Sequence, residues 1–157
     1  MRFDKEQKPG EVFVFIQVSK GSKNFYTWDE QTETLSMSQT LKEPFPGNYG
    51  IIPNTHHNDA QILDVIILSE EPIEPGTFVK VKPIGVIRLK GQVNDDIIIS
   101  VPFEVDIDDV SDLSMKQLNE ITEYFERFKN LKTQKVFDSE HAKKIVEHAI
   151  KRWVKER

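Results

Sequence analysis

A chain of 157 residues, 38% hydrophobic and 30% charged, has the size and balance of one globular domain able to bury about two-thirds of its unfolded surface. No run of 18 apolar residues and no charged-then-apolar leader is present, so neither a membrane span nor a secretion signal is expected. The lack of cysteine excludes disulfides and thiolate sites and fits a reducing, cytoplasmic setting, while a formal net charge of −5 argues against nonspecific nucleic-acid binding.

In chain order, Met1 to Gly10 is polar and expected to fray. Val12 to Val18 is rich in Val, Phe and Ile and reads as a strand. Lys20-Gly21-Ser22 turns it into a second strand at Phe25 to Trp28, and Leu35 to Met37 is a weaker third. Pro46-Gly47-Asn48-Tyr49-Gly50 cannot be helical and marks a sharp turn. A second turn is expected at Pro53-Asn54-Thr55, with His56 to Ala60 as a polar loop. Asp64 then heads the short apolar strand Val65 to Leu68.

Thr77 to Leu89 reads as a long strand, bent or bulged at Pro83 and Gly85, and Gly91 to Asn94 turns it into a strand at Asp96 to Val101. Beyond Pro102 the period changes. Ser114 and Gln117 form a capping box ahead of a helical face at Leu118, Ile121, Phe125 and Phe128. Asp138 or Ser139 can cap a second helix with the stripe Ala142, Val146, Ala149 and Trp153. Several short strands followed by two helices predict a single mainly β domain over residues 1–157, a closed barrel with helices packed outside it.

The stretch PGNYGIIPNT, with Asp59 and Asp64 after it, then DVIIL, EEPIEPG and VKVKPIGVI, resembles the soluble (family I) inorganic pyrophosphatases. The resemblance runs nearly colinearly from Val12 to about Ile150, through IIISVP and YFERFKNL. It implies a closed five-stranded oligonucleotide-binding-like barrel with two C-terminal helices. It also implies hydrolysis of diphosphate with Mg²⁺ or another divalent cation. That chemistry needs clustered carboxylates to hold cations that activate water, and a basic rim to clamp phosphates. By family position Asp59, Asp64 and Asp95 are metal-facing, Tyr49 lines the site and Lys129 binds phosphate.

Other family positions have changed. Gln61 stands where the family has the aspartate that bridges metals and helps activate water, and Ile62 replaces the motif's proline. Gln17 and Thr27 replace acids, and a further acid position falls near Lys90 or Gly91. Phe25 and Ile97 occupy lysine positions, Met37 falls at or near an arginine, and Phe128 lacks the hydroxyl of the family's helix tyrosine. Gln61 can offer a carbonyl oxygen to a metal but cannot take a proton from water at neutral pH. The substitutions favour a pseudoenzyme or nearly inactive homologue acting by binding or assembly, with at most weak residual cation binding. A weak or altered but genuine phosphohydrolase is the alternative. Diphosphate or phosphate is the expected ligand.

Weaker signals remain. His56-His57 beside Asp59 has ligand types suited to Zn²⁺ or Mn²⁺, but adjacent side chains tend to point apart, which favours an exposed pair. Trp28, Trp153 and the Phe residues are read as core, with no nucleic-acid role. Lys143, Lys144, Lys151, Arg152, Lys155 and Arg157 read as a solvated face near a helix C-terminus. The family resemblance implies a homo-oligomer. Glu123 and Arg127, suited to pairing with each other, put the bacterial hexamer in question because they replace its helix histidines.

Overall fold

The computed structural model describes residues 2–58, 61–92 and 94–157. Its elements are β1 (Val12–Val18), β2 (Asn24–Asp29), β3 (Thr34–Thr40), β4 (Asn48–His57), β5 (Gln61–Ile67), β6 (Phe78–Lys90), β7 (Asp95–Pro102), α1 (Met115–Lys129), β8 (Lys132–Phe137) and α2 (Ser139–Glu156). β1 pairs with β4, β4 with β5, β5 with β7, β7 with β6, and β6 returns to β1. Five strands therefore close a barrel, and no edge is left among them. β5 and β7 run parallel, while the other barrel pairs are antiparallel. β8 adds outside β6, and β2 with β3 forms a separate hairpin.

The strands alternate between two cores, as the period of a pleated strand dictates. β7 sends Ile98 into one core and Ile97, Ile99 and Val101 into the other. β5 does the same with Val65 and Ile67 against Ile66. α2 closes the first core with Ala142, Ile145, Val146 and Ala149, and Trp153 lies only half-buried at the end of that stripe. α1 closes the second with Ile121, Tyr124 and Phe125. Both predicted caps form. Gln117 N donates to Ser114 Oγ at 3.1 Å and Ser114 N donates to Gln117 Oε1 at 3.0 Å, while His141 N donates to Asp138 Oδ1 at 3.0 Å.

Several local readings change, the first being that Asn48, Tyr49 and Gly50, read as part of a sharp turn, open strand β4. The signal at Pro53-Asn54-Thr55 is not a turn between elements but an irregularity inside β4, whose register to β5 shifts between Ile52 and His57. Asn54 takes the left-handed conformation there (φ 63°), and Thr55 Oγ1 donates to Ile52 O at 2.6 Å. The side chain thus supplies a bond that the interrupted ladder cannot. His56 and His57 are accordingly strand residues. The bend predicted at Pro83 and Gly85 is present as a register shift against β7. β8 had no apolar alternation to announce it, because KTQKVF packs its last residues and leaves its lysines outside.

β1 and β4 approach so closely that a Cβ at Gly50 would run into the carbonyl oxygen of Phe15. Gly50→Ala is expected to destabilise the fold by about 2–3 kcal/mol, since the barrel seam must open to admit a methyl group. Urea unfolding checks this, and a midpoint unchanged from the parent would contradict it.

Candidate active site

The parallel pair β5–β7 sets two carboxylates side by side. Asp64 is the register partner of Ile97 and lies on the face of Ile66, while Asp95 lies on the face of Ile97 and Ile99. Both acids therefore stand at the open end of the second core. Lys129, the last residue of α1, reaches between them, with Nζ 3.4 Å from Asp64 Oδ2 and 3.4 Å from Asp95 Oδ2. The helix ends there because Asn130 adopts the left-handed cap conformation. Gln61, Asp64 and Asp95 line one cleft of about 360 Å³, together with His57, Gly91, Gln92, Asn94 and Asp96.

Burial governs the electrostatics of this cluster. It raises the pKa of Asp64, an effect opposed by the Lys129 charge. Burial works against the ammonium of Lys129, yet the charges of Asp64 and Asp95 outweigh it and hold the pKa up. Tyr49, 2% exposed, is pushed far above its ordinary range by burial and by the neighbouring Asp64 carboxylate. The result is a protonated phenol and an ammonium facing two carboxylates.

Asp64, Asp95, Tyr49 and Lys129 are thus brought together, and Gln61 lies on the same cleft. Asp59 lies outside the described residues. The oxygen donors of Asp64 and Asp95 flank one cation, and Gln61 can add a carbonyl oxygen, a donor set suited to a single hard divalent ion. Among the described residues no larger cluster of His, Cys, Asp or Glu is arranged to hold a metal.

The wall beside the acids is apolar. Phe45 stacks on Tyr49 at 4.7 Å and 17°, and Phe128 meets both rings edge-on. Phe25 stands 6.0 Å from Tyr49, and Ile97 is fully buried. Met37 is exposed on β3, and Gln17 and Thr27 are half-buried. Gly91 and Gln92 bring no carboxylate to the turn after β6. Phe25, Ile97 and Met37, at the positions where the family resemblance implies cations, bring none.

One buried charge network was not anticipated. Asp96 accepts from Arg88 Nε at 2.8 Å and Nη2 at 3.1 Å, and its Oδ2 lies 2.8 Å from His57 Nε2. Burial opposes ionisation of Asp96, but the bonds from His57 and Arg88 outweigh it and lower its pKa. The doublet Asp95-Asp96 in a strand was the available signal, since successive side chains take opposite faces. His56 instead contacts Glu156, with Nδ1 2.8 Å from Oε2, so the two histidines diverge as their adjacency implied. Arg127 donates to Glu43 Oε2 at 2.8 Å, a longer-range pairing than the one read within α1.

The sequence profile of the inorganic pyrophosphatase family matches residues 14–154. The chain is 40% identical over 93 residues to an inorganic pyrophosphatase of Nanoarchaeum equitans, covering 59% of this chain and 58% of the relative. It is 34% identical over 100 residues to that of Saccharolobus solfataricus, covering 62% and 58% respectively. The matched stretches thus span a little over half the length of these relatives. The solved Helicobacter pylori inorganic pyrophosphatase superposes with a TM-score of 0.89 at 27% identity, over 98% of this chain and 99% of that one. The Thermus thermophilus inorganic pyrophosphatase gives 0.86 at 27% identity, over 96% and 95%.

Proposed function

Because the chain belongs to the inorganic pyrophosphatase family, we propose that it is a genuine but slow divalent-metal-dependent hydrolase of diphosphate. The observation that carries this reading is the convergence of Asp64 and Asp95 on the Lys129 ammonium in an open cleft. A bound divalent ion would supply neutralisation of the phosphates and a lowered pKa for the attacking water. Asp64 and Asp95, joined by Asp59, would hold it. Tyr49, buried beside Asp64, keeps its proton. Lys129 would present its charge to a phosphate oxygen as the bridging P–O bond breaks and water adds to phosphorus, giving two phosphates.

The reaction is slow in this reading because two contributions are reduced together. Gln61 cannot accept a proton from water, and Phe25, Ile97 and Met37 provide no cation to absorb charge on the leaving phosphate. Removing one such donor costs roughly 10²–10³ in rate, and the losses do not multiply. The pseudoenzyme reading drawn from the same substitutions finds no support among the relatives, which are named for the activity. Its remaining physical basis is the apolar wall of Phe25, Phe45 and Phe128.

Phosphate release from diphosphate with Mg²⁺ or Mn²⁺ tests the proposal. Turnover about 10²-fold or more below that of the Helicobacter pylori relative is expected, and Asp64→Asn should abolish it. Release that persists unchanged in Asp64→Asn would place the chemistry elsewhere.

A further inference from the structure

We infer that Lys129 is a tethered counter-cation which a divalent ion must displace, so that the side chain limits metal affinity and sets the order in which ligands enter. The inference rests on the proposed metal role of Asp64 and Asp95. Its ammonium straddles the two carboxylates at 3.4 Å from each, beyond the roughly 2.7–2.9 Å of a strong charge-assisted hydrogen bond. One positive charge is thus shared between two partly buried acids without tight bonding to either. A divalent ion approaches oxygen ligands to about 2.0–2.6 Å and carries twice the charge. The two cannot share one space between the same oxygens.

The architecture lets Lys129 leave without disturbing the fold. Its backbone is fixed by α1, which is capped at Ser114 and packed through Phe125 and Ile121 into the second core. Beyond that anchor the lysine has a flexible stem, and its two partners Asp64 and Asp95 line the cleft. A displaced ammonium would stay tethered to the end of α1 and be left unpaired for an anion. Cation binding and anion binding are therefore coupled through one side chain, and coupling of this kind is reciprocal.

The test uses the full chain without diphosphate, so it can fail or succeed independently of the proposed hydrolysis. Mn²⁺ binding is measured by the loss of the free-ion electron paramagnetic resonance signal, alongside thermal melting with and without Mn²⁺. Lys129→Met is expected to bind Mn²⁺ at least about tenfold more tightly than the parent, since two carboxylates are left uncompensated. It should melt lower without metal and gain more on adding Mn²⁺. Lys129→Arg, which keeps the charge, should stay near the parent, and adding Asp64→Asn to Lys129→Met should erase the gain. If Lys129→Met does not fold without metal, Lys129→Gln serves the same titration. Mn²⁺ affinity that is unchanged or weaker in the folded neutral variants would overturn the inference.

Discussion

Replacing Asp96 by Ala is expected to destabilise the fold by roughly 3–5 kcal/mol, the cost of breaking a buried ion pair from one side. Asp96 has no exposed side-chain surface, and its removal strands the Arg88 guanidinium and leaves His57 without its partner. These bonds tie β4, β6 and β7 together at the end of the barrel that carries the cleft. Asp96→Asn keeps most of the shape and isolates the charge. The folded pKa of Asp96 lies below its ordinary 3.8, so its ionised form contributes stability fully above that value. That contribution is lost as the pH falls through the lower, folded value. Urea unfolding at neutral pH should therefore separate parent from Asp96→Asn widely, and the gap should narrow below about pH 4. A gap under about 1 kcal/mol at neutral pH would show that the network contributes little.

Restoring the acid at position 61 should change binding far more than turnover. Gln61→Asp adds a further anionic side chain to the cleft lined by Asp64, Asp95 and Asp96, so it should tighten divalent-ion binding and lower stability without metal. Phosphate release should rise less than about tenfold, because Phe25, Ile97 and Met37 still supply no cation at positions where the resemblance implies one. Adding Phe25→Lys and Met37→Arg to Gln61→Asp should raise turnover by roughly 10²–10³ over the parent. Ile97→Lys is a poorer addition, since Ile97 is fully buried and an ammonium there must be desolvated. A full gain from Gln61→Asp alone would show that the clamp was never missing.

The closed barrel was legible in residues whose pattern and partners agree. Val12 to Val18 carries β-branched and aromatic side chains throughout, and β1 has those bounds. Ser114 and Asp138 announced both helices because a cap is a local bond that needs no tertiary partner. β4 was not read as a strand at all, because Pro46, Gly47, Gly50, Pro53 and Asn54 are breakers by propensity, whereas Asn48–His57 pairs with β1 and, across the irregularity, with β5. β8 depends on docking against β6, which a short lysine-bearing segment does not reveal.

The candidate site was legible in kind and not in geometry. Asp59, Asp64, Asp95, Tyr49 and Lys129 were selected through the family resemblance, and Asp64 and Asp95 both pair with Lys129. Nothing in the spacing showed that Lys129 would lie between the acids, because that contact joins residues 65 positions apart. The Asp96 network was hidden for the same reason. Its partners His57 and Arg88 come from different strands, and only the pleat separates Asp96 from Asp95.

The central claim, that this cleft splits diphosphate, is tested most directly by following oxygen from water. Diphosphate and Mg²⁺ are incubated with the protein in ¹⁸O-enriched water, and the phosphate formed is read by its isotope-shifted ³¹P resonance. Protein-dependent accumulation of phosphate carrying water oxygen is expected, slow and lost in Asp64→Asn. Diphosphate that binds the protein yet remains intact over the same period would contradict it and establish a non-catalytic binding protein instead.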